Sequence, residues 1–230
     1  EGKGTNDVNG QAYPDLYSSK LQKDGKWTSP TPLQGNPENG VNTAFAEGGP
    51  AMNSKMNEIY FTRCKNYEGK LKKEKSCQIY FSKKRGAAYG DAVMLEIGND
   101  SVIVAHPTLT NKDQTIYFVS NMKGGRGGKD IWMADYDKKE KKWLNIRNLG
   151  PEVNTPGDEL YPFVHADGTL YFSSNGHVGI GGFDLFKVEK LDDGWGPVMN
   201  LKVPINSSSD DISIIYEADS ERGYLTSNRN

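Results

Sequence analysis

Two cysteines and three histidines among 230 residues leave this sequence poor in the side chains that most often bind metals or act as nucleophiles. No apolar run approaches the roughly 18–20 residues needed to cross a membrane as a helix. A formal net charge of −2 gives no global attraction to nucleic acid or anionic lipid. Long runs of helical period are missing, which excludes a bundle of long helices. Neither a Gly-x-Ser-x-Gly elbow nor a Cys–His pair with a recognisable local signature occurs. Residues 1–6 lack the features of a signal peptide, so any export signal is expected outside this chain.

What the chain has is glycine, tyrosine and a repeat: 26 Gly, 12 Tyr, and one phrase written four times. The phrase is an apolar residue or glycine, Tyr or Tyr-Phe, then small polar residues, centred on Tyr60, Tyr117, Tyr171 and Tyr224 at spacings of 57, 54 and 53. Self-similarity at such a period marks an array of one supersecondary unit. Other elements keep the period. Pro50, Pro107 and Pro162 precede the phrase; Asp15-Leu16-Tyr17, Asp130-Ile131-Trp132 and Asp184-Leu185-Phe186 follow it, with Gln78-Ile79-Tyr80 in the acid-less copy. Trp27, Trp143 and Trp195 come next, and Asn42, Asn99, Asn154 and Asn206 close the units.

Alternation resolves one unit into four short strands: 107–110, 115–120 with Ile116 and Phe118 on one face, 130–136, and 143–149. A turn at 111–113 follows the first, and the glycine-rich 124–128 is a loop. A four-stranded meander cannot bury its own faces, and stacking such sheets radially does so. The fold class expected is therefore all-β, a β-propeller of four-stranded antiparallel blades forming a single domain over 1–230. Whole blades fall at 42–103, 104–156 and 157–209, with 210–230 and 1–41 supplying the fourth equivalent. Either the ring closes by pairing its N- and C-terminal strands, or the chain is an excerpt of a propeller with another blade; the closed or nearly closed count is preferred.

Ser173-Ser174-Asn175-Gly176-His177 followed by Gly181-Gly182-Phe183-Asp184-Leu185-Phe186 resembles the WD40-like Asp repeat of TolB-type propellers. So do residues 121–132 and the closing phrases 148–154 and 204–207. The arrangement is similar to the propellers of exported, OmpA-type multidomain proteins, nearest to the peptidoglycan-associated propeller subunit of type IX secretion. The likeness covers almost the whole chain and is weakest over 65–76 and the tryptophan-less blade. It implies a periplasmic location associated with the outer membrane or peptidoglycan, and partners among the proteins of an envelope or secretion complex. Helical repeats before the propeller and a peptidoglycan-binding domain after it, which such proteins carry, are not in this chain; peptidoglycan contact is expected only through such a domain.

Chemistry is weighed against scaffold at each repeated residue. Asp15, Asp130 and Asp184 suit a structural role, accepting backbone N–H groups at the loop-to-strand corner; the Asn copies are expected as turn formers between blades. Glycines 124–128 and 179–182 are not a phosphate cradle, since no helix follows them. A metal shared near His106 and His165 is the lesser reading, and no cofactor is expected. The acids Asp158, Glu159, Asp210 and Asp211 are the candidates for a glycosidase-like pair, with nothing to show that two converge. Cys64 ends one expected strand and Cys77 begins the next, so the thiols face each other if the strands are antiparallel neighbours. A disulfide there would imply an oxidising compartment; two unpaired thiols are the alternative. The leading expectation is a non-catalytic protein-docking scaffold whose loops 64–77, 122–129 and 175–182 present Tyr67, Met122, Arg126 and Ile180. The alternative is a propeller that binds or hydrolyses carbohydrate or peptidoglycan fragments.

Overall fold

The computed structural model describes residues 13–66, 75–98, 101–110, 112–217 and 222–229, and all regular structure among them is β. The chain divides into two compact units, Glu1–Leu95 and Glu96–Asn230.

In the first unit, β1 (Tyr17–Ser18) pairs with β2 (Thr31–Pro32) as a two-stranded sheet. β3 (Ala46–Met52), β4 (Glu58–Asn66) and β5 (Lys75–Arg85) form an antiparallel meander. Its fourth strand is broken into β6 (Ala88–Tyr89) and β7 (Val93–Met94), both paired with β5. This is the copy without a tryptophan. Leu16 and Val41 pack with Ile59 and Phe61 as a core.

The second unit opens with a regular four-stranded meander, β8 (Val104–Leu109), β9 (Thr115–Ser120), β10 (Asp130–Asp137) and β11 (Lys142–Asn148). The next sheet comprises β12 (Glu159–Val164), β13 (Leu170–Ser174) and β14 (Asp184–Val188). A hairpin of β15 (Lys190–Leu191) and β16 (Gly194–Trp195) intervenes before its last strand, β17 (Met199–Asn200). β18 (Asp211–Tyr216) and β19 (Gly223–Ser227) make a two-stranded sheet. The closure expectation also involved residues 1–4, which lie outside the described residues.

Ile116, Tyr117 and Phe118 are all buried, although successive strand residues point to opposite faces. Both faces of this sheet are therefore covered. Tyr117, Ile131, Met133 and Leu149 pack with Leu170, Phe172, Phe186 and Val188 of the next sheet as one core. Each fully buried Phe or Leu contributes roughly 1.5–3 kcal/mol relative to exposure. β12 lies against β8, β9 and β10, and β18 against β12, β13 and β14, so consecutive sheets pack face to face.

The first strand of the repeat starts earlier than its proline suggested, at Val104 rather than residue 107. The proline survives inside the strand because each copy bulges there, as prolines in sheets require. Register shifts fall between Gly48 and Ala51, Ala105 and Thr108, and Leu160 and Phe163. The residue before each proline takes a left-handed conformation: Gly49 at φ 55°, His106 at 51° and Tyr161 at 48°.

Candidate functional site

Two of the repeated aspartates, Asp130 and Asp184, hold loops. Asp130 accepts the backbone N–H groups of Arg126 and, at 3.1 Å, Gly127, while Asn148 Nδ2 donates to it at 2.9 Å. Asp184 Oδ2 accepts from Ile180 and Gly181, each at 2.9 Å. Both acids are buried at the start of a third strand. Asp15 occupies the same position before Leu16, and burial pushes its carboxyl up.

The closing asparagines are clamps rather than turn formers. Asn154 Oδ1 accepts the N–H of Ile131 at 2.8 Å while its Nδ2 donates to the carbonyl of the same residue at 2.9 Å. Asn206 does this to Leu185 at 2.8 and 2.9 Å and Asn42 to Leu16 at 2.7 and 2.9 Å. One side-chain amide has the donor and the acceptor needed to satisfy both groups of one peptide unit's residue. Asn99 lies outside the described residues.

A second recurring device sits beside the first. Thr43 donates N–H and hydroxyl to Glu47, Thr155 to Glu159 and Ser207 to Asp211, always four residues apart. Each acid is buried and has a further partner: Arg63, Ser174 or Arg229. The acid's own N–H then donates to the residue before a repeated Asp, Glu47 to Pro14, Glu159 to Lys129 and Asp211 to Phe183. In the second unit these bonds join consecutive sheets. The signal in the sequence was Asn-Thr or Asn-Ser followed four residues later by an acid, and it passed unread because Glu159 and Asp211 looked like free carboxylates.

Those carboxylates are committed. Glu159 accepts from Thr155 and Ser174, Asp158 pairs with Lys129 at 3.0 Å, and Asp210 receives Phe183 N–H and Asn228 Nδ2. Burial raises the Asp211 carboxyl pKa, but donors from Ser227, Arg229 and Ser207 outweigh it and hold it below the usual range. The histidines are dispersed too. His106 stacks on Tyr161 with centroids 3.7 Å apart, His165 meets Asp167 at 3.0 Å, and His177 Nε2 lies 2.8 Å from the Val153 carbonyl. Among the described residues no group of three or more His, Cys, Asp or Glu could hold a metal ion.

Glycines 127, 157, 176 and 181 permit close passage of neighbouring backbones. A Cβ on Gly127 would meet the Gly157 carbonyl oxygen at 2.2 Å, and one on Gly181 the Ser209 oxygen at 2.1 Å. Gly157 and Gly176 are nested in the same way. The loops 122–129 and 175–182 are therefore fixed both by an aspartate beneath and by the adjoining linker.

At the rim of these loops Arg126 is exposed, as are Val178 (93%) and Ile180 (54%). Arg126 and Ile180 occupy equivalent positions, each donating its N–H to the aspartate four residues on. Met122 is half-buried, with its methyl group 3.9 Å from where a Cβ of Gly98 would stand, so it is not an exposed anchor. Tyr67 lies outside the described residues. The repeated tyrosines share a register on second strands: Tyr60 faces Phe81, Tyr117 faces Met133 and Tyr171 faces Lys187, while Tyr224 faces Ile215 of β18. Burial pushes the Tyr117 hydroxyl up to about 12.

Cys64 and Cys77 are directly opposed across β4 and β5 and joined by a disulfide. Bonds of this kind persist outside the reducing cytosol, which favours an extracytoplasmic location. No helix among the described residues is long and apolar enough to cross a membrane. On the flank of the second unit a cleft of about 250 Å³ is lined by Met133, Arg147, Glu152, Lys190, Asp193 and Trp195. Lys190 Nζ stands 4.7 Å from the Trp195 ring centre.

No protein-family profile matches the chain, and no curated protein is detectably similar in sequence. Solved structures do resemble it. An α-L-arabinofuranosidase from Lactobacillus brevis is 11% identical, with a TM-score of 0.53 over 92% of this chain and 82% of its own. TolB from Acinetobacter baumannii is 12% identical, with a TM-score of 0.51 over 91% of this chain and 45% of its own. A luciferin-regenerating enzyme is 15% identical, with a TM-score of 0.51 over 80% and 54%. The chain thus spans about half the length of TolB and of the luciferin-regenerating enzyme. These likenesses carry the fold, a β-propeller.

Proposed function

We propose that this propeller is a non-catalytic docking scaffold in the periplasm, serving an envelope or secretion assembly of the type IX kind and most like its PorE subunit. The observation that carries the reading is a division of labour. Asp130, Asp184 and the described asparagines of the repeat bond within the frame, while Arg126, Val178 and Ile180 stand exposed on loops the frame immobilises. Immobilised apolar and arginine side chains suit protein recognition, because little conformational entropy is lost when they are covered. The combined change Arg126→Ala, Val178→Ser and Ile180→Ser is expected to abolish co-purification of partners from native envelopes. Melting temperature should stay within about 2 °C, since exposed positions contribute little to stability. Undiminished capture by the triple variant would end the docking reading.

The flank cleft favours a second reading, carbohydrate or peptidoglycan-fragment binding or hydrolysis. It brings the indole of Trp195 into one cleft with the carboxylates of Glu152 and Asp193 and the cations of Arg147 and Lys190, an aromatic wall among polar groups. A cell-wall glycan array with turnover assays decides it. Binding lost in Trp195→Ala supports this reading, and silence across the array removes it.

A further inference from the structure

The repeat sets a tryptophan after each third strand of the second unit, and the two copies use it differently. Trp143 is buried on β11, beside Tyr136 of β10. Trp195 lies instead on the β15–β16 hairpin and is half-buried, with Tyr117 meeting its ring in an edge arrangement at 6.0 Å. The hairpin register puts Lys190 directly opposite Trp195, and the ammonium stands 4.7 Å from the ring centre. One face of the indole is thus already a seat for a cation.

The charges around that seat are unequal. Arg147 lines the cleft, but both arms of its guanidinium go to Asp135, at 2.7 and 3.2 Å. Glu152 and Asp193 line it too, are exposed, and have no hydrogen-bond or ion-pair partner among the described residues. Two uncompensated carboxylates therefore share the cleft with one ammonium, that of Lys190.

We propose that the cleft seats the guanidinium of an arginine from a partner protein, stacked on the Trp195 indole in place of the Lys190 ammonium and paired with Glu152 and Asp193. A guanidinium is planar, more weakly hydrated than an ammonium and able to bond a carboxylate through two N–H groups, so it can displace Lys190. Charge complementarity selects a cation. The volume of about 250 Å³ lies below the roughly 300–1,000 Å³ of sites for drug-sized ligands and suits one side chain. Tryptophan and arginine are also residue types on which interface energy concentrates. The site adds a second contact to the docking reading without using the loops around Arg126 and Ile180, so each can fail alone. It competes with glycan binding for one cleft, and the same titration separates the two.

The probe is a capped peptide with one arginine between glycines, titrated into isotope-labelled protein while the indole N–H signals are followed. Of the four tryptophan signals, the one missing from Trp195→Phe should move saturably. Citrulline in place of the arginine keeps the shape and removes the charge, and should weaken binding at least about tenfold. Glu152→Gln combined with Asp193→Asn should do the same, and Lys190→Ala should tighten binding about threefold by removing the competitor. All three positions are exposed, so these variants keep the fold. No saturable movement of the Trp195 signal, equal binding of the citrulline peptide, indifference to the carboxylate changes, or weaker binding by Lys190→Ala overturns the proposal. Movement with neutral cell-wall glycans and none with the arginine peptide overturns it as well, and gives the cleft to the glycan reading.

Discussion

Replacing Arg63 with alanine is expected to lower stability by about 3–5 kcal/mol, the cost of leaving a buried charge without its partner. The guanidinium is buried, with Nε 2.7 Å from Glu47 Oε1, and it also bonds the Gly40 carbonyl. It lies 4.6 Å from the Tyr80 ring centre and 5.3 Å from that of Phe61. Burial pushes the Glu47 carboxyl up, while Thr43 and Arg63 pull it down. The net direction is upward even with Arg63 present, so its loss pushes the carboxyl further up and strips the acid of its counter-charge. Serine at position 63 should recover part of the loss, because the sister acid Glu159 is served by the Ser174 hydroxyl at 2.7 Å. Glu47→Gln added to Arg63→Ala should also recover part, by removing the charge. Urea unfolding of the variants measures this, and a loss under about 1 kcal/mol for Arg63→Ala would show that the pair is not what holds this corner.

Acidification from pH 6.5 to 4 is expected to remove up to about 3 kcal/mol through His106 alone. Burial of the ring, aided by the charge of Lys129, lowers its pKa from 6.5 to about 4. Above pH 6.5 the ring is neutral in both states and contributes no pH dependence. Below it the unfolded chain takes up a proton that the folded protein refuses until about pH 4, so stability falls across that window and levels off beneath it. The geometry agrees: the ring stacks on Tyr161, and its Nδ1 accepts the Tyr161 N–H at 3.4 Å, which a protonated ring could not do. Asn is the replacement of choice, since it tolerates the left-handed backbone at this position. His106→Asn should flatten the profile of urea midpoint against pH between 6.5 and 4. A profile as steep as that of the parent would assign the dependence to other groups.

Architecture was legible because it is written in period. Tyr60, Tyr117 and Tyr171 mark second strands, and the strand 115–120 was bounded correctly from alternation alone. The loop-holding role of Asp130 and Asp184 was legible for the same reason. What escaped depends on direction rather than spacing. Asn154 and Asn206 read as turn residues because asparagine favours turns, yet their amides reach back 23 and 21 residues to grip a strand. Glu159 and Asp211 read as available acids because sequence does not show that Thr155 and Ser207 fold back onto them. Pro107 was assigned to a strand's beginning, since proline is disfavoured within a sheet; only the bulge at His106 reveals how it is admitted. Met122 looked exposed from its place in a polar loop, yet it is half-buried with its methyl group near Gly98.

The bond from each latching acid to the residue before an aspartate has a consequence for how such a chain can change length. Both halves of the joint, the acceptor ahead of Asp184 and the donor at Glu159, are present in the copy at 157–209, whereas the copy at 104–156 has Val104 in the acid's place. A tandem duplication of the copy at 157–209 would arrive with compatible chemistry at either end and require no compensating substitutions along the seam. Recombination within the gene can therefore add that copy with its seams intact, whereas an insertion of half a copy would leave an acid without its acceptor.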